Sequence, residues 1–462
     1  MHQLFLCFVI LLEVSYISAS FAFSDINPRF PLSTINAAAT IRRTRQLRFR
    51  LCVAASNEAA RSEDTIPSSK EPRKILVVGG NGRVGGSSAR HLQVLDEGGV
   101  ELLLGGRSQA SFEKSKARII GQLQDASISI PTIQFQQLDL NSSPSALAQV
   151  IRSCGARAVV HTAGPFQTRT NPTLMQASIE AKVPYVDVCD EPLLCEAGKN
   201  LSNLAKENGV VAVTAAGIWP GASALMAAQA VDELRKLGSS DDSVDITMSF
   251  FTAGTGNAGA TIVSATFLLL CQKALTIAAG NEVEKEPWTD DMDVDFRGSQ
   301  GVKTVRLLDN PDVFTLYRSV PHINSLSSRF ATAPGVWNQL FGAMKTLIPK
   351  DILSNTDLMQ GLSIFSLPII RAVDKIVGAT NAMRIDASCV KSGRKCTFIV
   401  THDDLEQCVG LATAAFILEI MNSSSSIEPG VYYPAELPLT SRNRILEQVK
   451  KDAIVWELDF SD

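Results

Sequence analysis

Several short catalytic patterns are missing from this chain. Its nine cysteines include no C-x-x-C pair. That argues against a zinc ribbon and, with the odd count, against a disulfide framework; reduced thiols buried as small hydrophobes are the simpler reading. No H-E-x-x-H or G-x-S-x-G occurs, which removes a helical zinc protease site and a nucleophile elbow. None of the five tyrosines starts Y-x-x-x-K, so a short-chain dehydrogenase mechanism lacks its acid. Charge of one sign is also lacking. Lys and Arg number 43 against 47 Asp and Glu, a net charge of −4, so no strong basic field invites nucleic acid. What is present is an ordinary globular composition, 45% apolar and 19% charged, in 462 residues, enough for two domains.

The first seventy residues differ from the rest. The apolar run "LFLCFVILL" is followed by "AAATIRRTRQLRFRLCVAAS". Residues 1–56 hold six arginines and two acids, a +4 segment, which leaves about −8 for the remainder. An arginine- and serine-rich, acid-poor leader reads as a chloroplast transit peptide over 1–56; a secretory signal is the alternative, because the apolar run resembles an h-region. Residues 57–72, polar and proline-flanked, read as a disordered linker.

From Lys74 onward strand and helix signals alternate. "KILVVGG", "VELLLGG" (100–106), "TIQFQQLDL" (132–140), "ARAVVHTAG" (156–164), "VPYVDVCDE" (183–191) and "VVAVTAAG" (210–217) read as six strands separated by helices. Short aliphatic runs ending in glycine are the mark of buried parallel strands. The fold class expected is α/β: a doubly wound parallel Rossmann sheet over 73–239 with right-handed crossovers. Beyond it the texture becomes α+β, with strands expected at 239–254, "TVRLLDN", "PDVFTLYRSV", "AMRIDASCV" and "RKCTFIVTHD". "ATIVSATFLLLCQKALTIAAG" (260–280) reads as one long core helix, too polar at Thr261, Ser264, Thr266, Gln272 and Lys273 for a membrane span. No integral span is expected in the mature chain.

The stretch "GGNGRVGG" after the first strand carries the clearest chemistry. Gly80, Gly82 and Gly85 give G-x-G-x-x-G; Gly79, Gly82 and Gly85 give G-x-x-G-x-x-G. In either register one glycine permits the tight turn, another lets backbone N–H groups approach a pyrophosphate, and Gly85 lets the helix pack on the strand. The turn as a whole, with Asn81, Arg83 and Val84, is therefore the expected cofactor cradle, and its strand–turn–helix context supports a dinucleotide. No carboxylate ends the second strand to bond a ribose 2′-OH. Arg107 and Ser108 stand there instead, which favours NADP through pairing with the 2′-phosphate; Arg83 adds a second cation. Asp139 ends the third strand, placed either to accept from an adenine amino group or to cap its own loop. Ala163, Gly164, Pro165 and Phe166 end the fourth strand near the switch point of the sheet, with Phe166 over the ribose or nicotinamide side.

Candidates for a proton-handling group are sparse. Asp187, Asp190 and Glu191 end the fifth strand and are expected to face the cleft, with Asp190 chosen as catalytic. His91 reads as structural, and His402 as a candidate for either role. No metal site is expected.

The motifs "ILVVGGNGRVGGSSARHL", "LLGGRS", "LDL", "HTAGPFQ", "ASIEAKVPYVDVCDE" and "GIWPGASALMA" resemble, in this order, the saccharopine dehydrogenase family, including its plant plastid members, and are similar to the carboxynorspermidine synthase branch. The resemblance implies that an α+β substrate domain, 240–400, is inserted and that 401–455 returns to the Rossmann domain. It implies hydride transfer between NADP and an imine or secondary-amine carbon of a small amino-acid- or polyamine-like substrate. A non-catalytic NADP-binding regulatory or assembly protein and a reductase of a lipid-like substrate are the alternatives. A dicarboxylic substrate needs converging arginines, for which Arg306, Arg318 and Arg384 are available. The partner expected is a small-molecule substrate; a homodimer stays open.

Overall fold

The computed structural model describes residues 73–129, 131–164, 166, 169–237, 242–254 and 260–461. The transit peptide and linker expected over 1–72 lie outside these residues, as does Pro165.

The run "RKILVV" forms β1 (Arg73–Val78), whose Ile75, Leu76 and Val77 are fully buried. Burial on both faces is what a near-continuous aliphatic run requires. There follow α1 (Arg83–Leu95), β2 (Val100–Gly106), α2 (Gln109–Asp125), β3 (Ile133–Gln137), α3 (Pro144–Ser153), β4 (Ala158–His161), α4 (Thr173–Ala181), β5 (Tyr185–Asp187), α5 (Pro192–Lys199), α6 (Ser202–Asn208) and β6 (Val211–Val213). The six strands pair in parallel, in the order β6-β5-β4-β1-β2-β3. The order reverses between β1 and β4, so the carboxyl ends of these two strands open the crevice where such sheets bind ligands. β4 and β5 are shorter than the hydrophobic runs suggest: beyond His161 and Asp187 the chain leaves the ladder and lines the crevice.

After α7 (Ala222–Leu237) and β7 (Val244–Ala253) come α8 (Ala260–Leu269), β8 (Ala274–Ala278), β9 (Asn281–Lys285), β10 (Met292–Asp295), β11 (Val302–Leu307), α9 (Pro311–Ser319) and β12 (Ile323–Ala333). Next are α10 (Val336–Leu347), α11 (Lys350–Leu353), α12 (Thr356–Val377), β13 (Thr380–Cys389) and β14 (Lys395–His402). The chain closes with α13 (Leu405–Ile420), β15 (Gly430–Tyr432), α14 (Leu439–Lys450) and β16 (Ala453–Ser461). The second sheet is mixed, ordered β10-β11-β12-β7-β13-β14-β16, with β8 and β9 attached to β12.

Two local expectations are corrected. Residues 260–280 are not one helix: α8 ends at Leu269, and β8 pairs with β9 and touches β12 at Leu326–Ile277. Thr276 and Ile277 are β-branched and gain cross-strand partners that a continued helix would forfeit. "PDVFTLYRS" is a helix, not a strand. The Asn310 side chain accepts from Asp312 N at 2.9 Å and Pro311 occupies the first helical position, a start signal that outweighs the β-branched content.

The domain limits also differ in detail. α7, assigned to the Rossmann part, packs on β13 and β14 of the second sheet. In the returning segment, α13 packs along α1, and β15 extends the parallel sheet beside β6. β16 instead pairs with β14 in the second sheet. Among the described residues no helix is long and apolar enough to cross a membrane, and no cluster of His, Cys, Asp or Glu could hold a metal.

Candidate functional site

The glycine turn owes its shape to what a Cβ would strike. Gly79 has φ +84°, and a Cβ there would lie 2.7 Å from Ala163 N. A Cβ on Gly85 would overlap the Gly79 carbonyl and come within 2.5 Å of Thr162 Oγ1. Gly79 N donates to Gly105 O at 2.9 Å and Gly82 N to Gly79 O at 2.8 Å. Gly79, Gly82 and Gly85 all line a cavity of about 700 Å³. Gly80 does not: it faces the sheet, where a Cβ would sit 2.8 Å from Leu104 Cδ2 and Val77 O. The working register is therefore G-x-x-G-x-x-G, and Gly80 is a packing residue. Gly82 is the N-cap of α1 and supplies no side-chain cap, so the helix presents its backbone donors and its positive end to the cavity. A cradle that only glycine permits, at an uncapped helix start, fits a dinucleotide pyrophosphate.

Asn81, Arg83, Val84, Arg107, Ser108 and Asp139 line the same cavity. Arg107 is exposed, and among the described residues no ion pair occupies it. Ser108 is committed to capping α2, accepting from Ser111 N at 3.2 Å, while its carbonyl accepts from Asn81 Nδ2 at 3.3 Å. The turn is thus tied to the end of β2. Asp139 accepts from Asn141 N at 3.1 Å: it caps its own loop while facing the cavity. Arg83 is less free than Arg107, with its Nη1 3.9 Å from Glu406 Oε2.

At the switch point, Thr162, Ala163, Gly164 and Phe166 carry the wall onward. His161 is buried behind them. Its Nδ1 lies 2.8 Å from the Tyr185 hydroxyl, and its ring stands edge-on to Phe166 at 5.0 Å. Burial, with Arg169 adding to it, pushes His161 down to about 3, so the ring is neutral and structural. Of the three acids after β5, only Asp190 lines the cavity. Asp187 is buried and accepts from Ala215 N (2.8 Å), Thr214 Oγ1 (3.0 Å) and Cys189 N (3.1 Å). Burial raises it in spite of these bonds. Glu191 caps α5 through Leu193 N at 3.4 Å. His402 is buried with Nε2 on Val449 O at 3.0 Å, and burial lowers it; its role is structural.

The far half of the cavity is largely apolar, with Thr266 also on its wall. Trp219 and Pro220 approach from the turn before α7, Leu269 from α8, Leu308 from the end of β11, and Phe330 from β12. Trp219 stacks on Phe250 at 5.1 Å, and its Nε1 donates to Asn381 Oδ1 at 2.7 Å, so the indole is fixed in place. The three arginines considered for a dicarboxylate do not converge here. Arg306 pairs with Asp291 (2.7 Å), Arg318 with Glu282 (3.0 Å) and Arg384 with Asp386 (2.7 Å). None lines the cavity.

Residues 75–213 match the family model of the saccharopine dehydrogenase NADP binding domain. This part of the chain is a saccharopine dehydrogenase NADP binding domain. Its cofactor is NADP, and the domain supports an oxidoreductase with a small-molecule substrate. The fold is similar to that of apo saccharopine dehydrogenase (L-Glu forming) from Saccharomyces cerevisiae, with TM-score 0.57 and 12% identity over 84% of this chain and 100% of that one. A DAP dehydrogenase from C. glutamicum, solved in complex with DAP, is similar over 81% of this chain and 96% of that one, at 11% identity and TM-score 0.37. At 12% identity the likeness to the first of these concerns the fold alone. No curated protein matches the chain in sequence.

Two groups of this site escape sequence reasoning. Arg118, in the middle of α2, donates to Gly82 O at 2.7 Å. Glu406, in the first turn of α13, reaches the glycine turn from the returning segment. Arg118 reads as a solvated helix arginine and Glu406 as an ordinary acid at a helix start, so neither carries a signal in one dimension.

Proposed function

We propose that this protein transfers hydride between NADP and an imine or secondary-amine carbon, the reaction type its family suggests, on a substrate whose body is apolar rather than dicarboxylic. The observation that carries the substrate class is the far half of the cavity. Among the described residues, no charged residue beyond residue 240 lines it, and the three available arginines are paired elsewhere. A dicarboxylate brought there would exchange its hydration for apolar walls, which costs several kcal/mol per ion; an aliphatic or aromatic substituent would gain about 25 cal/mol per Å² of apolar surface buried.

Gly79, Gly82, Gly85 and the start of α1 would hold the pyrophosphate, Arg107 the 2′-phosphate, and Gly164 and Phe166 the nicotinamide end. When bound, NADP supplies or accepts the hydride. Asp190 is half-buried at the carboxyl end of β5 and lines the cavity. It is assigned to hold or move the proton of the substrate nitrogen, a task open to a carboxylate within reach of the reacting group. Trp219 and Phe330 orient the substrate and exclude water.

The test is metabolite profiling of a loss-of-function line, followed by an NADPH oxidation assay on whatever accumulates. Accumulation of apolar imines or amines supports the reading; turnover of a dicarboxylic amino acid overturns it. A second reading, a non-catalytic NADP-binding protein, has one observation in its favour: no Lys, Tyr or His lines the cavity among the described residues. Tight NADPH binding with no turnover of any accumulated compound would favour it. We also propose plastid import through residues 1–56, checked by fusing them to a fluorescent reporter; secretion of the reporter would reverse the assignment.

A further inference from the structure

An acid in the first turn of a helix is ordinary, because the helix dipole favours negative charge there. Glu406 is not ordinary in its burial. The residue is 3% exposed, and its Oε2 has no hydrogen-bond partner among the described residues. Its nearest cation is Arg83, with Nη1 at 3.9 Å, too long for a hydrogen bond. Leu405 and Val409, flanking it on α13, line the cofactor cavity. A buried carboxylate held only by Coulomb attraction is costly. Burial pushes Glu406 up to about 7, against the pull of Arg118 and then Arg83.

Neither arginine belongs to Glu406 alone. Arg83 is the first residue of α1, lines the cavity and keeps 38% of its side chain exposed. Arg118 is bonded to the Gly82 carbonyl within the same turn. A cofactor bound there brings phosphate charge to the turn from which these two guanidinium groups face Glu406. The other charged neighbour is Asp404, the N-cap of α13, which opposes ionisation of Glu406. Further along α1, Arg90 is engaged by Gln407 at 3.0 Å and His91 faces Asp452 at 3.6 Å.

We propose that Glu406 is a positioning residue of the NADP site: its carboxylate holds Arg83 at the glycine turn, and it takes up a proton from solvent when the phosphates of the cofactor compete for that charge. The inference rests on the NADP assignment and adds to it a residue from the opposite end of the chain. The sign follows from linkage. Phosphate near Arg83 raises the affinity of Glu406 for a proton, so the complex binds more protons than the free protein. NADPH affinity then falls as pH rises through the range in which Glu406 ionises, by at most about tenfold per pH unit for one proton.

The experiment is NADPH titration of the full chain and of Glu406→Gln, followed by fluorescence, from about pH 6 to about pH 8.5. The 2′-phosphate itself titrates near pH ~6, as phosphate monoesters do, so the quantity read is the ratio of the two profiles. The expected result is near-equal affinity at the acid end and a variant binding several-fold more tightly at the alkaline end. Parallel profiles overturn the proposal. A second measurement needs no variant: calorimetric titration of the wild-type protein near pH ~7.5, in buffers of different ionisation enthalpy, should show net proton uptake. Zero uptake or release overturns the proposal while leaving the NADP assignment intact. Failure of NADPH to bind at all removes both.

Discussion

The two halves of the cavity are built by different means. The cofactor half is backbone. Gly79, Gly82 and Gly85 act through the side chains they lack, within seven consecutive residues, and the start of α1 supplies the donors. The substrate half is side chains from four separate places, those of Trp219, Leu269, Leu308 and Phe330, brought together around the second sheet. A site made of backbone is insensitive to sequence drift except at the glycines. A site made of side chains can be rewritten one residue at a time. That difference explains how a fold keeps one cofactor while its substrates diverge.

Variants in the two halves should therefore separate cleanly. The largest effect is expected from Asp190→Asn. Once a substrate is found, kcat should fall by about 10² to 10³, the scale of lost general acid–base catalysis, with NADPH affinity unchanged; a normal kcat would remove Asp190 from the chemistry. Next is Gly82→Leu. A Cβ at Gly82 meets only Gly79 O, at 3.1 Å, so the fold should survive while the cradle fills. NADPH affinity should drop by about 100-fold, the scale of one or two hydrogen bonds to a charged group. Unchanged titration curves would refute the pyrophosphate assignment. Arg107→Ala should weaken NADPH about tenfold and leave NADH alone, as loss of one exposed charge-assisted pair. Equal losses for both cofactors would mean that Arg107 does not read the 2′-phosphate. The smallest effect is expected on the substrate side from Trp219→Ala, which should raise substrate KM several-fold through lost aromatic contact yet leave NADPH binding untouched. If NADPH binding fell with it, the two halves would not be separable.

The same contrast governs what the sequence reveals. β1, the turn and α1 are contiguous, and their glycines, aliphatic run and helical spacing all speak for one structure, so fold class, cofactor and cradle are legible there. Even so, the register of the glycines is not, because only the position of Leu104 across the sheet shows that Gly80 faces inward. Residues 260–280 mislead for a related reason: a uniformly apolar run has no period to separate helix from strand, and the pairing of β8 with β9 decides it. At 311–319 the helix start signal "NPD" is present in the sequence, but Val313, Phe314, Leu316 and Tyr317 compete with it as strand formers, and only the folded chain shows that the start signal wins. The three arginines could be counted but not located. Glu406 and Arg118 could not be found at all, since their meaning lies in a neighbour far away in the chain.

The packing of α13 against α1 has a consequence for how the protein is made. Leu405, Glu406 and Val409 finish a wall of the cavity whose opposite side is laid down at Gly79. During synthesis the ribosome releases the glycine turn long before the wall that α13 completes. The nascent Rossmann segment therefore leaves the ribosome with α1 uncovered along the face that α13 will occupy, and the cavity gains this wall only when α13 has been made. Fragments ending before Leu405 should be wards of chaperones rather than small cofactor-binding proteins.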